Sequence, residues 1–226
     1  MPEISASDSL SQRRLMVDGQ IRTFGITDLD LIDRFLAVPR EMFVDPASVA
    51  LAWSDAPLKL AGRPARILLQ PMVLAKMIQN ASLKTGDSVL DVAGGLGYGA
   101  AVMAGMGAQV LALEEDETHS ATARQAFAAL GLGNITTVTG DLATGASGHG
   151  PFDVILVNGA VETGIVPLLA QLRDGGRLLV IRNRPGQTIG EVVRYEKHGA
   201  NTGERVLFET TAQVLHGFAA APAFAF

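Results

Sequence analysis

The chain has 226 residues, a formal net charge of −5, 48% hydrophobic side chains and no cysteine. That length suits one domain or one domain with an appendage, and the lack of cysteine removes disulfides, thiolate nucleophiles and cysteine-ligated zinc. The acidic balance opposes a broad electrostatic footprint for nucleic acid or anionic membrane, so small, acidic or peptide-like partners fit better.

The four histidines, His119, His149, His198 and His216, show no metal-ligand spacing, and no metal is expected. No apolar run approaches the ~20 residues that span a bilayer, and the start MPEISASDSLSQRR has no long apolar core of a signal peptide. A cytoplasmic protein with no membrane partner is the expectation.

In chain order, the first dozen residues are polar and Ser-rich and read as frayed. RRLMVDGQIRTFG and TDLDLIDRFLAVPREMF then carry apolar residues at helical spacing, the second opening on Thr27-Asp28 as N-cap and stopping before Pro39. ALAWSDAPLKLAGRPARILLQP reads as a loop, and MVLAKMIQNASL as a further helix. Residues 1–85 thus form a helical extension with a substrate-side loop.

Residues 86–226 change pattern. Strands are predicted at SVLDVA, QVLALEE, ITTVTG, FDVILVNG and RLLVIRN, with helices at AAVMAGM, THSATARQAFAALG and VPLLAQL between them. Alternating β and α units with near-continuous apolar strands imply an α/β fold with a mostly parallel, doubly wound sheet. The tail EVVRYEKHGANTGERVLFETTAQVL reads as two strands about the turn HGANTG, an antiparallel edge. The Ala/Phe-rich end GFAAAPAFAF is expected to cover a neighbouring surface or to fray.

The stretch SVLDVAGGLGYGAAV puts a glycine loop at the first strand-to-helix turn, where open α/β sheets bind ligands. Gly95, Gly97 and Ala100 match the G-x-G-x-x-A spacing of a dinucleotide fingerprint, which keeps a nicotinamide enzyme in view. Asp91, just before the loop, favours a cationic ligand such as S-adenosylmethionine and would repel a pyrophosphate. Glu114, ending QVLALEE, is placed to accept from ribose hydroxyls. For Glu115 and Asp116 a solvated helix start is the simpler reading. Asp141 suits either an adenine amino group or a turn cap, and Asn158 ends its strand near the transfer site.

Over nearly the whole chain these residues resemble the protein-L-isoaspartate O-methyltransferase family. Val38-Pro39-Arg40-Glu41 with Phe43, AWSDAPL against A-[YW]-x-D-x-P-L, and VLDVAGGLGYGAAVMA against V-L-[ED]-I-G-T-G-S-G-Y-x-[AT]-A carry the likeness, with Ala93 in place of the first glycine. NITTVTGDLATG and QLRDGGRLLV match as well. The resemblance implies a Rossmann-like class I methyltransferase with an N-terminal helical extension and antiparallel C-terminal edge strands. It further implies S-adenosylmethionine as cofactor and the α-carboxylate of L-isoaspartyl residues in damaged peptides or proteins as acceptor, a repair reaction. Carried over, the cofactor residues are Asp91, Ala93, Gly95, Gly97, Tyr98, Glu114, Asp141, Leu142 and Asn158, with Asp55 on the substrate side.

One departure stands out. The family's Thr-Ile-Ser-x-Pro is here Ile67-Leu68-Leu69-Gln70-Pro71, so Leu69 occupies the serine position thought to hold the substrate carboxylate. The loop before it is lengthened and carries Arg63 and Arg66, either of which offers a guanidinium in place of the hydroxyl. The alternatives are a relative that binds the cofactor but uses another acceptor, or a binding module that turns nothing over.

Overall fold

The computed structural model of the chain describes residues 6–62, 64 and 66–221. Helix α1 (Ala6–Met16) runs into a wider π-helical turn, Val17–Ile21. The polar start is therefore helical from Ala6 onward. Arg13 explains the difference from the expected fraying: its guanidinium donates to the carbonyls of Leu36 and Ala37, at 2.9 and 3.0 Å. A tertiary contact that occupies helix-end carbonyls orders a segment whose own composition does not.

Helix α2 (Leu29–Ala37) starts where its cap predicts, with the Asp28 carboxylate accepting from the Leu31 amide at 3.1 Å. It buries Leu31, Ile32 and Phe35 and stops ahead of Pro39. The segment read as a loop contains a small antiparallel hairpin, β1 (Leu58–Leu60) and β2 (Arg66–Leu68), registered Leu58 to Leu68 and Leu60 to Arg66. Strands of three residues are too short to show period-two alternation. Helix α3 (Pro71–Ala81) follows, with its proline at the first position, where the missing N–H is harmless.

The remainder builds one sheet of seven strands in the order β5-β4-β3-β6-β7-β8-β9. They are β3 (Ser88–Val92), β4 (Gln109–Glu114), β5 (Ile135–Thr139), β6 (Phe152–Val161), β7 (Leu172–Arg182), β8 (Ile189–His198) and β9 (Asn201–Thr211). The pairings are parallel from β5 across to β7 and antiparallel for β7–β8 and β8–β9. The antiparallel edge is the one the tail sequence predicts. Helices α4 (Tyr98–Gly105), α5 (Glu117–Ala129) and α6 (Val166–Ala170) connect the parallel strands.

Alternate residues of the central strands feed two apolar layers. Val89, Val154, Leu156, Leu179 and Ile181 pack with α2, α3, α4 and α5. Leu90, Val92, Ile155, Val157, Leu178 and Val180 pack on the other face with Leu142, Leu168 and Phe218. The first layer also takes in Phe35, Phe43 and Trp53, so the extension and the sheet share one core. Asp153, at the start of β6, accepts from the Ser88 amide at 2.9 Å and pairs with Arg173. Among the described residues no helix is long and apolar enough to cross a membrane. The last residues of GFAAAPAFAF, 222–226, lie outside the described part.

Arg40, from the V-P-R-E stretch, is wholly buried. Nε donates to the Ala52 carbonyl and Nη2 to that of Leu69, both at 2.8 Å, while the guanidinium lies 4.6 Å above the Tyr98 ring. Burial lowers its pKa to about 10. The side chain thus ties the segments on either side of the β1–β2 hairpin to α4. Arg40→Ala orphans two buried carbonyls and leaves a void, a loss of about 3 kcal/mol, and the expected fall in Tm of roughly 6–12 °C is read by calorimetry.

Candidate active site

Strand β3 lies at the point where the sheet order reverses, with β4 on one side and β6 on the other. Loops at the carboxyl ends of strands flanking such a point form the ligand crevice of open α/β sheets. The loop after β3 is tight: Ala93, Gly95 and Gly97 have φ of 58°, 61° and 92°. Ala93, where a glycine carries no penalty, is held in this region by its amide bonding the Leu113 carbonyl at 2.9 Å.

Asp91, next to the last residue of β3, has no exposed surface. One carboxylate oxygen, Oδ1, accepts from Asn158 Nδ2 at 2.7 Å, and the same amide group donates to the Val92 carbonyl at 3.0 Å. The other oxygen has no hydrogen-bond partner. It points at the glycine loop, since a Cβ on Gly94 would collide with it. Burial pushes the Asp91 carboxyl up to about 7, with the Asn158 hydrogen bond pulling the other way. Asn158 is thus the residue that aims the carboxylate.

Glu114 closes β4 and is also buried. Arg66 Nε contacts its two oxygens at 2.5 and 3.2 Å, and Arg66 Nη2 pairs with Glu115. Burial raises the Glu114 carboxyl above the usual carboxylate range, opposed by Arg66 and by His119, whose Nδ1 lies 3.9 Å away. Glu115 also meets His216 Nδ1 at 3.0 Å. Sequence reasoning took Glu115 for a solvated helix start; the ion pair with Arg66 and the hydrogen bond with His216 place it against the hairpin and the C-terminal segment instead.

The β1–β2 hairpin lies over this region. Leu60 Cδ1 falls 2.5 Å from where a Cβ on Gly95 would sit, and the Ala61 carbonyl is hydrogen-bonded to His119 of α5. What remains between Asp91, Gly95, Gly97, Glu114 and Ala123 is a cavity of about 10 Å³. Small-molecule sites hold roughly 300–1,000 Å³.

The other candidate residues are dispersed. Asp141 is exposed and caps a turn, accepting from the Thr144 amide at 2.8 Å, while Leu142 is buried in the opposite apolar layer. Tyr98 does not face the crevice: its ring is buried against Phe35 and Phe43, each 5.7 Å away between centroids. Asp55 is exposed ahead of β1. Leu69 is buried in the core, with its carbonyl taken by Arg40. Arg66, expected to hold an acceptor carboxylate, holds two of the protein's own; Arg63 lies outside the described residues. Leu60 and His119 went unnoticed in the sequence, where nothing marks the one as a cover for Gly95 or the other as its latch.

Residues 11–214 match the family model for protein-L-isoaspartate(D-aspartate) O-methyltransferase. The chain belongs to this family. A protein-L-isoaspartate O-methyltransferase of Methylorubrum extorquens is 40% identical over 188 residues, 83% of this chain and 81% of that one. One from Koribacter versatilis is 36% identical over 182 residues, 80% and 81% of the two chains. A solved protein-L-isoaspartate O-methyltransferase superposes with a TM-score of 0.80 at 25% identity, covering 92% of this chain and 67% of that one. A Plasmodium falciparum structure, a putative member in complex with S-adenosyl-L-homocysteine, shares the fold with a TM-score of 0.75 at 18% identity, over 92% and 97%.

The two poles of the crevice suit a ligand with an ammonium at one end and a diol at the other. An unpartnered buried carboxylate oxygen asks for a cationic donor, and Glu114 offers acceptors for hydroxyls. The donor set fits; the space between the poles is taken by Leu60 and Arg66.

Asp91 titrates differently folded and unfolded. Because its folded pKa is raised from 3.8 to about 7, the folded state binds more protons between these values, and its contribution to stability falls as pH rises through them. Asp91→Asn removes that loss. The Tm of the variant minus that of the parent is expected to grow from about pH 4.5 to about pH 8, an effect on the order of 4 kcal/mol at the upper end, and a difference flat in pH contradicts the assignment.

Proposed function

We propose that this chain is an S-adenosylmethionine-dependent protein carboxyl methyltransferase that acts on L-isoaspartyl residues of damaged proteins in the cytoplasm. The observation that carries the reading is the buried pair of strand-end carboxylates, Asp91 with an unpartnered oxygen and Glu114 beside it, set at the switch point of a family member's sheet.

When bound, S-adenosylmethionine supplies an electrophilic sulfonium methyl. Asp91, aimed by Asn158, would hold the ammonium, and Glu114 would accept from the ribose hydroxyls. A carboxylate acceptor with an ordinary pKa near 4 is ionised at pH 7, so no side chain has to remove a proton. The chain's part is alignment and exclusion of water. A cavity of about 360 Å³ at the carboxyl end of β7, lined by Pro57, Ile67, Asn183, Thr188, Gln213 and Val214, is the peptide-sized opening nearest β2. It supports an acceptor that approaches along the half-buried Ile67 rather than at Leu69.

Leu69 favours a second reading. A buried leucine donates nothing to an acceptor carboxylate, which suits a member that binds the cofactor without isoaspartyl transfer. The loss of one hydrogen bond to a charged group is worth about 1.5–3 kcal/mol, roughly ten- to a hundredfold in kcat/KM. Methyl transfer from labelled S-adenosylmethionine to a peptide with one L-isoaspartate, beside its aspartyl twin, decides between them. The first reading expects transfer to the isoaspartyl peptide alone. Binding of S-adenosylhomocysteine with no transfer supports the second.

A further inference from the structure

The β1–β2 hairpin and the cofactor claim the same atoms. Arg66 lies along both oxygens of Glu114, the carboxylate assigned above to ribose hydroxyls. Leu60 fills the space over Gly95 in the loop that a ligand must approach closely. Ala61 is held from both sides, its amide donating to Asp45 at 2.7 Å and its carbonyl meeting His119. A ligand resting on Glu114 and the glycine loop cannot coexist with these contacts, and the remaining cavity of about 10 Å³ is room for about one water.

We propose that the β1–β2 hairpin is a strap closing the cofactor site, with Arg66 as a built-in competitor for Glu114, so that S-adenosylmethionine binds only when the strap lifts. The inference rests on the cofactor assignment made above.

The strap is a distinct element of the fold. It is a two-stranded sheet of its own, separate from the seven-stranded sheet, and such a hairpin is marginally stable without its docking contacts. Its contacts with the crevice are the ion-pair cluster, Leu60 and the hydrogen bond to His119, while Leu58 and Leu68 pack into the apolar core and the Ala61 amide donates to Asp45. The Arg66–Glu114 pair is buried on both sides, and for such pairs desolvation offsets most of the Coulomb attraction. The cluster continues through Glu115 to His216, so the C-terminal segment shares the latch.

A purely structural staple is the competing account. It predicts that weakening the hairpin's contacts destabilises the fold and leaves cofactor affinity alone or lowers it. A strap predicts the reverse for affinity, because apparent binding is scaled by the fraction of molecules already open.

The test is calorimetric titration of S-adenosylhomocysteine into the full chain, parent against Arg66→Gln and Leu60→Ala. Leu60→Ala leaves the Arg66 ion pairs in place and decides the matter if Arg66→Gln does not fold. The strap requires both folded variants to bind more tightly, about tenfold for Arg66→Gln. It also requires the parent's binding rate, followed through the single tryptophan, Trp53, to level off with ligand concentration, while the variants' rates keep rising. Equal or weaker affinity in Leu60→Ala overturns the strap and leaves the cofactor assignment intact. Failure of all three proteins to bind overturns both.

Discussion

Asp91 and Glu114 end neighbouring strands and are both buried, at 0% and 4% exposure. A carboxylate out of water has to be hydrogen-bonded, paired or protonated. Each of these resolutions appears within a few residues. Asn158 reaches across from β6 to bond one oxygen of Asp91, and burial drives that carboxyl toward its neutral form. Glu114 is answered by a guanidinium from the hairpin.

The same need links fold to function. Two acids at one sheet edge are an unfavourable arrangement unless a ligand of complementary charge and hydrogen bonding completes it, and the arrangement is completed here by halves. Asp91 retains an unpartnered oxygen, whereas Glu114 is satisfied from within. The proposed ammonium pole is open to a ligand in chemistry, and the proposed ribose pole is held by Arg66 of the hairpin.

Arg40 and Arg66 show how one residue type takes different parts. Arg40 is wholly buried and donates to two backbone carbonyls, which makes it a brace between the extension and α4. Arg66 donates to two carboxylates at the mouth of the crevice, a contact a ligand can replace. Leu69 sits between these systems: its carbonyl belongs to the brace and its side chain to the core.

Much of this was legible in the chain itself. Near-continuous apolar strands alternating with helical segments specified the parallel sheet, HGANTG its antiparallel edge, and Asp28 and Pro39 the limits of α2, because each signal is local and acts through backbone geometry. Asp91, Glu114 and the glycines were readable for the same reason: their spacing places them at strand ends. The helical start, the hairpin, the inward Tyr98 and the Arg66–Glu114 pair were not. Arg66 and Glu114 are 48 residues apart, and Arg13 meets Leu36 across 23. Which charges meet over such separations depends on how the layers pack, and a three-residue strand has no pattern of its own until the sheet beneath gives it a surface to cover.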